Sequence, residues 1–400
     1  MNSNRSLTSA QQLTKRECFR EIASLAARGK VVFVAGAGVS MGPPGRLPGW
    51  EDMMLAILRE IAGPPHANEV ELFRPHMRYL FNEVMLRRLV MTLGRHAPGA
   101  AALNHVGELL QACLTFRGSN LSHATIVWAA ANFGNSMLTM NFDMLFENAC
   151  SALGVTIDIP KLHGSLDDLN GARFTFDQVM SPLTDNLKDR GRQALADCTM
   201  AVAVGYNGQD EFDVMPLLFE RPSPLKNIYW IVHDTGNAPT LPFESAFARD
   251  SRLAWCRADT EALWRYLLKK LGTRGGTPEL ELNWKEPTRK RASHWWKRGV
   301  AQWGQRMRRA HGESLAYLWA DLLDEMRIYR DAAAPAATNN PAANAYARAI
   351  KMSAPDSAAI LFGRTQLAIM QQRLGQGHAR DFIKIRRDIR GDCLAPGAAA

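Results

Sequence analysis

The chain lacks paired cysteines. Its six cysteines, Cys18, Cys113, Cys150, Cys198, Cys256 and Cys393, stand singly, with no Cys-x-x-Cys among them. That spacing excludes a zinc ribbon and a disulfide framework, and reads the cysteines as small buried hydrophobes. No run of 18 apolar residues occurs, so no transmembrane helix and no membrane partner is expected. Met1 to Arg20 is polar and has no apolar signal-peptide stretch, which predicts a cytoplasmic protein. No internal period marks a solenoid. Acidic residues are also short, 39 against 48 Lys and Arg, for a net charge of +9. The basic excess gathers between Trp284 and Ala310, where nine Lys or Arg accompany a single acid, Glu286, and Trp295, Trp296 and Trp303 are interleaved. Such a stretch (285–309) suits two structures. It can grip a nucleic-acid backbone and stack on bases, or it can form an amphipathic helix with its tryptophans packed inward.

The 400 residues suffice for a large α/β domain and an appendage. Val31-Val-Phe-Val-Ala35 reads as a buried parallel strand running into Gly36-Ala37-Gly38 and Ser40. Glycines there allow backbone amides to approach a phosphate, and Ser40 adds a hydroxyl. Further strands are expected at Ser136–Asn141, within Val155–His163 with a break at Pro160, at Met200–Val204, Asn227–Val232 and Arg252–Cys256, with a short edge strand at Phe174–Phe176. Helices are expected over Leu13–Arg28, Trp50–Ile61, most of 66–135 with breaks near Pro98–Gly99 and Gly118–Ser119, Met144–Leu153 and Asp210–Phe219, and from Asp259 or Thr260 to a stop before Gly272. Alternation of this kind predicts a doubly wound, Rossmann-like parallel sheet with a helical insertion over about 51–135. Gly272-Thr-Arg-Gly-Gly-Thr-Pro278 closes that unit, and 279–400 shows only helical patterns, at 290–330 and 343–390.

Polar residues collect at the expected strand exits. Asn141 and Asp143 alternate, so they project to one side. Asp143 also suits a cap on the following helix. His163 precedes Gly164-Ser165 and can be a turn residue or a proton acceptor, for which a reference pKa of about 6.5 fits. Gly205-Tyr206-Asn207-Gly208 is a glycine-rich exit. The dinucleotide fingerprint of hydride-transfer enzymes is incomplete, because Met41 stands where the third glycine belongs and no acidic ribose partner follows about 20 residues on.

Taken in order, Gly36-Ala37-Gly38-x-Ser40, Leu47-Pro48-Gly49-Trp50, Thr139-x-Asn141-x-Asp143, His163-Gly164 and Val204-Gly205-Tyr206-Asn207 resemble the sirtuin family of NAD-consuming enzymes over about residues 30–270. The resemblance implies an NAD-binding catalytic domain over 1–278. Gly36, Ala37, Gly38 and Ser40 would hold the phosphates, and Pro48 and Trp50 the closing loop. Asn141 and Asp143 would face the nicotinamide ribose and amide, His163 would be the catalytic histidine with Asn141, and Gly205, Tyr206 and Asn207 would line the adenosine end. Deacylating sirtuins carry two zinc Cys-x-x-Cys pairs, which this chain lacks. Trp50 is followed by Glu51 where they carry aromatic-Arg, and Ser165-Leu-Asp-Asp follows His163-Gly164. In these respects the chain is similar to bacterial zinc-free sirtuin-like NAD hydrolases of antiphage defence. They imply NAD as substrate, no zinc, release of ADP-ribose and nicotinamide, and homo-oligomerisation or docking of a separate sensor or ATPase subunit on 279–400. A deacylase or ADP-ribosyltransferase on the same scaffold, and a non-catalytic NAD-binding subunit of a nucleic-acid-associated complex, are the alternatives.

Overall fold

The structure, a computed structural model, describes residues 11–76, 82–94, 100–116, 118–169, 171–175, 178–179, 181–208, 210, 213–233, 250–275 and 295–333. Its centre is a six-stranded, wholly parallel sheet made of β1 (Gln11–Gln12), β2 (Val31–Ala35), β3 (Ser136–Thr139), β4 (Met200–Val204), β5 (Asn227–Val232) and β6 (Leu253–Arg257), in the order β1-β6-β5-β4-β2-β3. All five residues of β2 and of β4 are buried. They read as continuous apolar runs because helices cover both faces. The side-chain period of two divides them between two cores. Val31, Phe33, Ala35, Met200, Val202 and Val204 meet one helical layer, and Val32, Val34, Ala201 and Ala203 the other.

The first layer holds α1 (Lys15–Ala26), α5 (Leu121–Phe133), α6 (Leu145–Leu153) and α9 (Thr260–Gly275). Thr14 begins α1 with a reciprocal cap, its hydroxyl accepting from Glu17 N (3.3 Å) while Thr14 N donates to Glu17 Oε2 (3.1 Å). Asp259 starts α9 by accepting from Glu261 N (3.0 Å). The second layer is α7 (Asp185–Ala196) and the short α8 (Val214–Leu218). A separate helical core joins α2 (Trp50–Ala62), α3 (Asn82–Gly94), α4 (Ala100–Leu114) and α10 (Trp295–Ala333).

The doubly wound sheet, the helical insertion and the helix beyond residue 278 correspond to the expected architecture, with several differences of detail. Val155–His163 forms no strand. It runs extended and makes one parallel bridge, Thr139 to Lys161, because Pro160 has no amide to continue a ladder. Phe174 and Thr175 are not in a strand, and Phe174 is buried in the helical core; Phe176 lies outside the described residues. α9 continues through Gly272 to Gly275. One glycine costs a packed helix only about 1 kcal/mol, too little to stop it. α5, inside the expected insertion, packs on the sheet instead, leaving α2 to α4 as the inserted core. The break at Gly118–Ser119 is present, whereas Pro98–Gly99, 279–294 and 343–390 lie outside the described residues.

α10 settles the choice posed by its basic, tryptophan-rich start. Trp296 and Trp303 are buried with Val300 and Met307 against α2 and α4. Trp303 Nε1 donates to His105 O (2.8 Å), and Arg308 Nη1 reaches Glu60 Oε2 (2.7 Å). The tryptophans therefore pack inward, and those rings are not offered to bases. No described helix is long and apolar enough to cross a membrane.

Candidate active site

β3 lies on one side of β2 and β4 on the other, so the chain reverses direction across the sheet beside β2. Crevices of doubly wound sheets open outside the carboxyl ends of strands at that point. The exits of β2, β3 and β4 meet there. Gly36 N donates to Val204 O (3.1 Å) and Gly38 N to Gly205 O (2.8 Å). A Cβ on Gly36 would lie 2.5 Å from Gly205 O and 2.6 Å from Tyr206 Cα. These glycines therefore let two strand exits touch, and both amides are engaged by β4. Ala37 is half-buried and Gly38 exposed beside them.

Ser40, expected at a phosphate, points inward and is 2% exposed. Its hydroxyl accepts from Asn141 Nδ2 (3.1 Å), donates to Asp143 Oδ2 (2.9 Å) and lies 3.2 Å from His123 Nε2. Asn141 and Asp143 thus both reach Ser40 from beyond the end of β3 at Thr139. Asp143 also accepts from Leu145 N (3.0 Å) one position ahead of the α6 cap, which is Met144 and not Asp143 as the sequence suggests. Burial raises its pKa, only partly offset by the Leu145 and Ser40 hydrogen bonds.

His123, Asn120 and Lys161 complete this cluster. None has a local sequence signal, since each is brought in by tertiary packing. Asn120 Oδ1 accepts from Ser122 N (3.0 Å), and its Nδ2 donates to Val39 O (2.6 Å), which fixes the amide orientation. His123 Nδ1 is 2.7 Å from that Oδ1, closer than the 3.3 Å to Asn120 N. Nδ1 therefore carries the proton, and Nε2 lies beside the Ser40 hydroxyl, whose one proton goes to Asp143. Burial holds His123 neutral, its pKa pushed down to about 3. Lys161 Nζ donates to the Asp143 carbonyl and to Ser165 Oγ (3.1 Å), and pairs with Glu147 Oε1 (2.9 Å).

His163 forms a second cluster. Gly164 follows it at φ +85°, where a Cβ would also strike Gly171 O and Ala172 Cα at 2.7 Å. Only glycine permits that turn. Arg173 N donates to His163 O (2.7 Å) and closes it. His163 Nε2 is 3.1 Å from Asp213 Oδ2 and 3.9 Å from Asp210 Oδ1. Burial lowers the His163 pKa, but the Asp210 charge and the Asp213 hydrogen bond outweigh it, leaving the ring above its ordinary value. Asp210 is raised by burial, and the Tyr206 phenol is held protonated by burial beside the Asp210 charge. Tyr206 stacks on Trp230 at 5.3 Å. Arg173 Nε is buried without a hydrogen-bond partner among the described residues. Buried polar atoms are rarely left so, which marks this cluster as a place for a polar ligand or water.

Phe142 links the two clusters. Its ring lies 6.4 Å from His163 and 6.3 Å from Trp50, edge-on to the latter. Pro48 is buried and Trp50 half-buried in the loop that reaches it. Gly205 and Tyr206 sit at the β4 exit under Gly36 and Gly38, while Asn207 is exposed. The expected site residues thus share one end of the sheet. Sequence reasoning missed Asp210, Asp213 and Arg173. The carboxylates alternate with apolar residues in Asp210–Phe219, a pattern that reads as an ordinary short helix.

The described cysteines lie on α1, α4, α6, the α7–β4 turn and β6, and Cys18 and Cys256 meet between α1 and β6. His163, Asp210 and Asp213 place one ligand atom each within 4.8 Å of one another, a set that could hold a cation. Arg173 Nη2, 3.4 Å from Asp213 Oδ2, already places positive charge there.

Fold and site together define an α/β protein with buried polar clusters at the exits of β2, β3 and β4. No protein-family model matches the chain, and no curated protein matches it in sequence. It is similar to two solved Sir2 structures. One concerns the mechanism and regulation of Sir2 enzymes, with 13% identity, 64% of this chain, 98% of that chain and a TM-score of 0.34. The other is Sir2 in complex with an inhibitor, 2′-O-acetyl-ADP-ribose and a deacetylated p53 peptide, with 14% identity, 63% of this chain, 99% of that chain and a TM-score of 0.34. At that score the architecture rests on the strand order itself.

Proposed function

We propose that the protein is an NAD glycohydrolase, with NAD as substrate and no zinc, acting as a conditionally activated effector of bacterial antiphage defence in the cytoplasm. The observation that supports the reading is the gathering of the ordered motif set at one end of the sheet as two buried polar clusters, His163 with Asp213 and Asn141 and Asp143 with Ser40, joined through Phe142. In the reaction the ribose C1′–nicotinamide N bond breaks and its electron pair leaves with nicotinamide. A water oxygen bonds to C1′, and the water proton passes to a base. His163 is that base, directly or through a ribose hydroxyl. Asn141 orients the reacting ribose from the β3 exit, with Asp143 and Ser40 fixing its amide. Phe142 and Trp50 keep bulk water away, and Ala37, Gly38 and Asn207 are the exposed edge along which the dinucleotide lies, with Tyr206 toward the adenosine end. α10 and the chain beyond it serve self-association or docking of a sensor or ATPase subunit.

Incubation of pure protein with millimolar NAD, and nicotinamide measurement in phage-infected cells expressing it, test this. Free ADP-ribose and nicotinamide are expected from at least one of the two. Asn141→Ala and His163→Ala are each expected to lose about 10² to 10⁴ in rate with the melting temperature little changed. Acyl-ADP-ribose or ADP-ribosylated protein as the product would replace hydrolysis by transfer. NAD binding without turnover in both settings would leave a non-catalytic subunit.

A further inference from the structure

We infer that Asp213 is the positioning residue of His163, holding its Nε2 so that Nδ1 is the nitrogen presented to the reacting ribose or water. The inference rests on the NAD reading for the identity of the reaction, but the histidine–carboxylate pair stands on geometry alone. Asp213 Oδ2 lies 3.1 Å from His163 Nε2, and its Oδ1 accepts from Val214 N (2.8 Å) at the start of α8. The carboxylate is thus anchored to backbone, with its side chain 1% exposed. Arg173 braces the opposite side. Its Nη2 is 3.4 Å from the same Oδ2 and donates to Ser181 O (2.5 Å), while Nη1 donates to Pro182 O (3.3 Å). A carboxylate at one ring nitrogen fixes the tautomer and leaves the other as the acceptor. His163 Nδ1 makes no hydrogen bond among the described residues, and Phe142 limits how the ring can turn.

The charged and titratable groups around the ring are Asp210 and Asp213 from the segment before α8, Arg173 from the loop after Gly164, and Tyr206, through Asp210, from the β4 exit. The two carboxylates favour the imidazolium, so the pair also stabilises the charge that His163 acquires when it takes a proton. Arg173 opposes them from the far side of Asp213. Asp210, at 3.9 Å, supplies charge without the hydrogen bond that sets orientation.

The test is Asp213→Asn, which retains an oxygen for Val214 N. Histidine ¹⁵N spectra of the NAD-free protein should show His163 protonated at Nε2, with a pKa that falls in Asp213→Asn. In turnover, kcat should fall about tenfold or more, KM for NAD should change less than twofold, and the acid limb of the kcat profile should move to lower pH. Should Asp213→Asn fail to fold, Asp213→Glu keeps the charge one methylene further out; it should retain the acid limb and lose kcat. An unmoved pH profile with kcat within twofold of wild type overturns the assignment. So does an Nδ1–H tautomer, or a zinc-dependent shift of the His163 resonances, which would make the cluster a metal site. If wild type hydrolyses no NAD, the NAD reading fails, while the ¹⁵N titration still decides whether the pair exists.

Discussion

His123 makes the protein acid-sensitive in a way that can be isolated. The ring is fully buried, edge-on to Phe146 at 4.6 Å, and its pKa is pushed down to about 3 by burial against an ordinary 6.5. A depressed histidine pKa means the unfolded chain binds a proton that the native protein refuses. Its contribution to stability is therefore complete above 6.5 and is lost as pH falls from 6.5 toward 3. Between pH 7 and pH 5 the loss is about 2 kcal/mol, from the proton taken up only by the unfolded state. That is a large share of a stability of about 5–15 kcal/mol. His163 has the opposite sign: with a raised native pKa, its contribution is present below 6.5 and is lost as pH rises through the native value. Urea unfolding of wild type and His123→Gln at pH 5, 6 and 7 separates the two, because His163 titrates in both proteins. The variant should be the less stable protein at pH 7, yet lose about 2 kcal/mol less on acidification. Parallel decline of the two proteins would refute a neutral, desolvated His123.

Gly36→Ala should destabilise the protein by about 1–3 kcal/mol or more, since its Cβ meets the Gly205 and Tyr206 backbone rather than a side chain that can move. An unchanged melting temperature would mean the β2 and β4 exits are not in contact. Zinc in pure protein should be well below one per chain. A stoichiometric ion bound in wild type and lost in His163→Ala would place it on His163, Asp210 and Asp213 instead.

Much of this was readable from residues because buried parallel strands write themselves as continuous apolar runs. Val31–Ala35 and Met200–Val204 emerge with their expected bounds, and the glycines after them mark where the exits touch. Asn141 and Asp143 both reach Ser40, although β3 ends at Thr139 and neither lies within the strand. What stayed hidden has three physical causes. β1 is a polar pair, Gln11–Gln12, whose strand state comes from pairing with Ala254 and Trp255 and not from its own pattern. Pro160, legible as a break, leaves a single bridge and no strand at all in Val155–His163. Asp213 and His123 lie 50 and 83 positions from His163 and Ser40, so only the fold brings them together.

The site lies where two cores meet, and its geometry depends on both. In Asn141-Phe142-Asp143 the outer side chains turn to Ser40 while Phe142 enters the helical core with Leu166 and Phe174. The loop from Met41 to Gly49 has no regular structure of its own, yet it carries Pro48 and leads into Trp50. It is pinned from the sheet side by the Leu47 N–Ser40 O bond (3.1 Å), and from the helical side by Trp295 Nε1 donating to Gly45 O (2.9 Å). Phe116 packs on Trp295 at 5.6 Å and is itself held to α6 through Asn148 Nδ2, which donates to Phe116 O (3.0 Å). The first turn of α10 therefore bears on the same loop that brings Trp50 to Phe142, and Phe142 bears on His163.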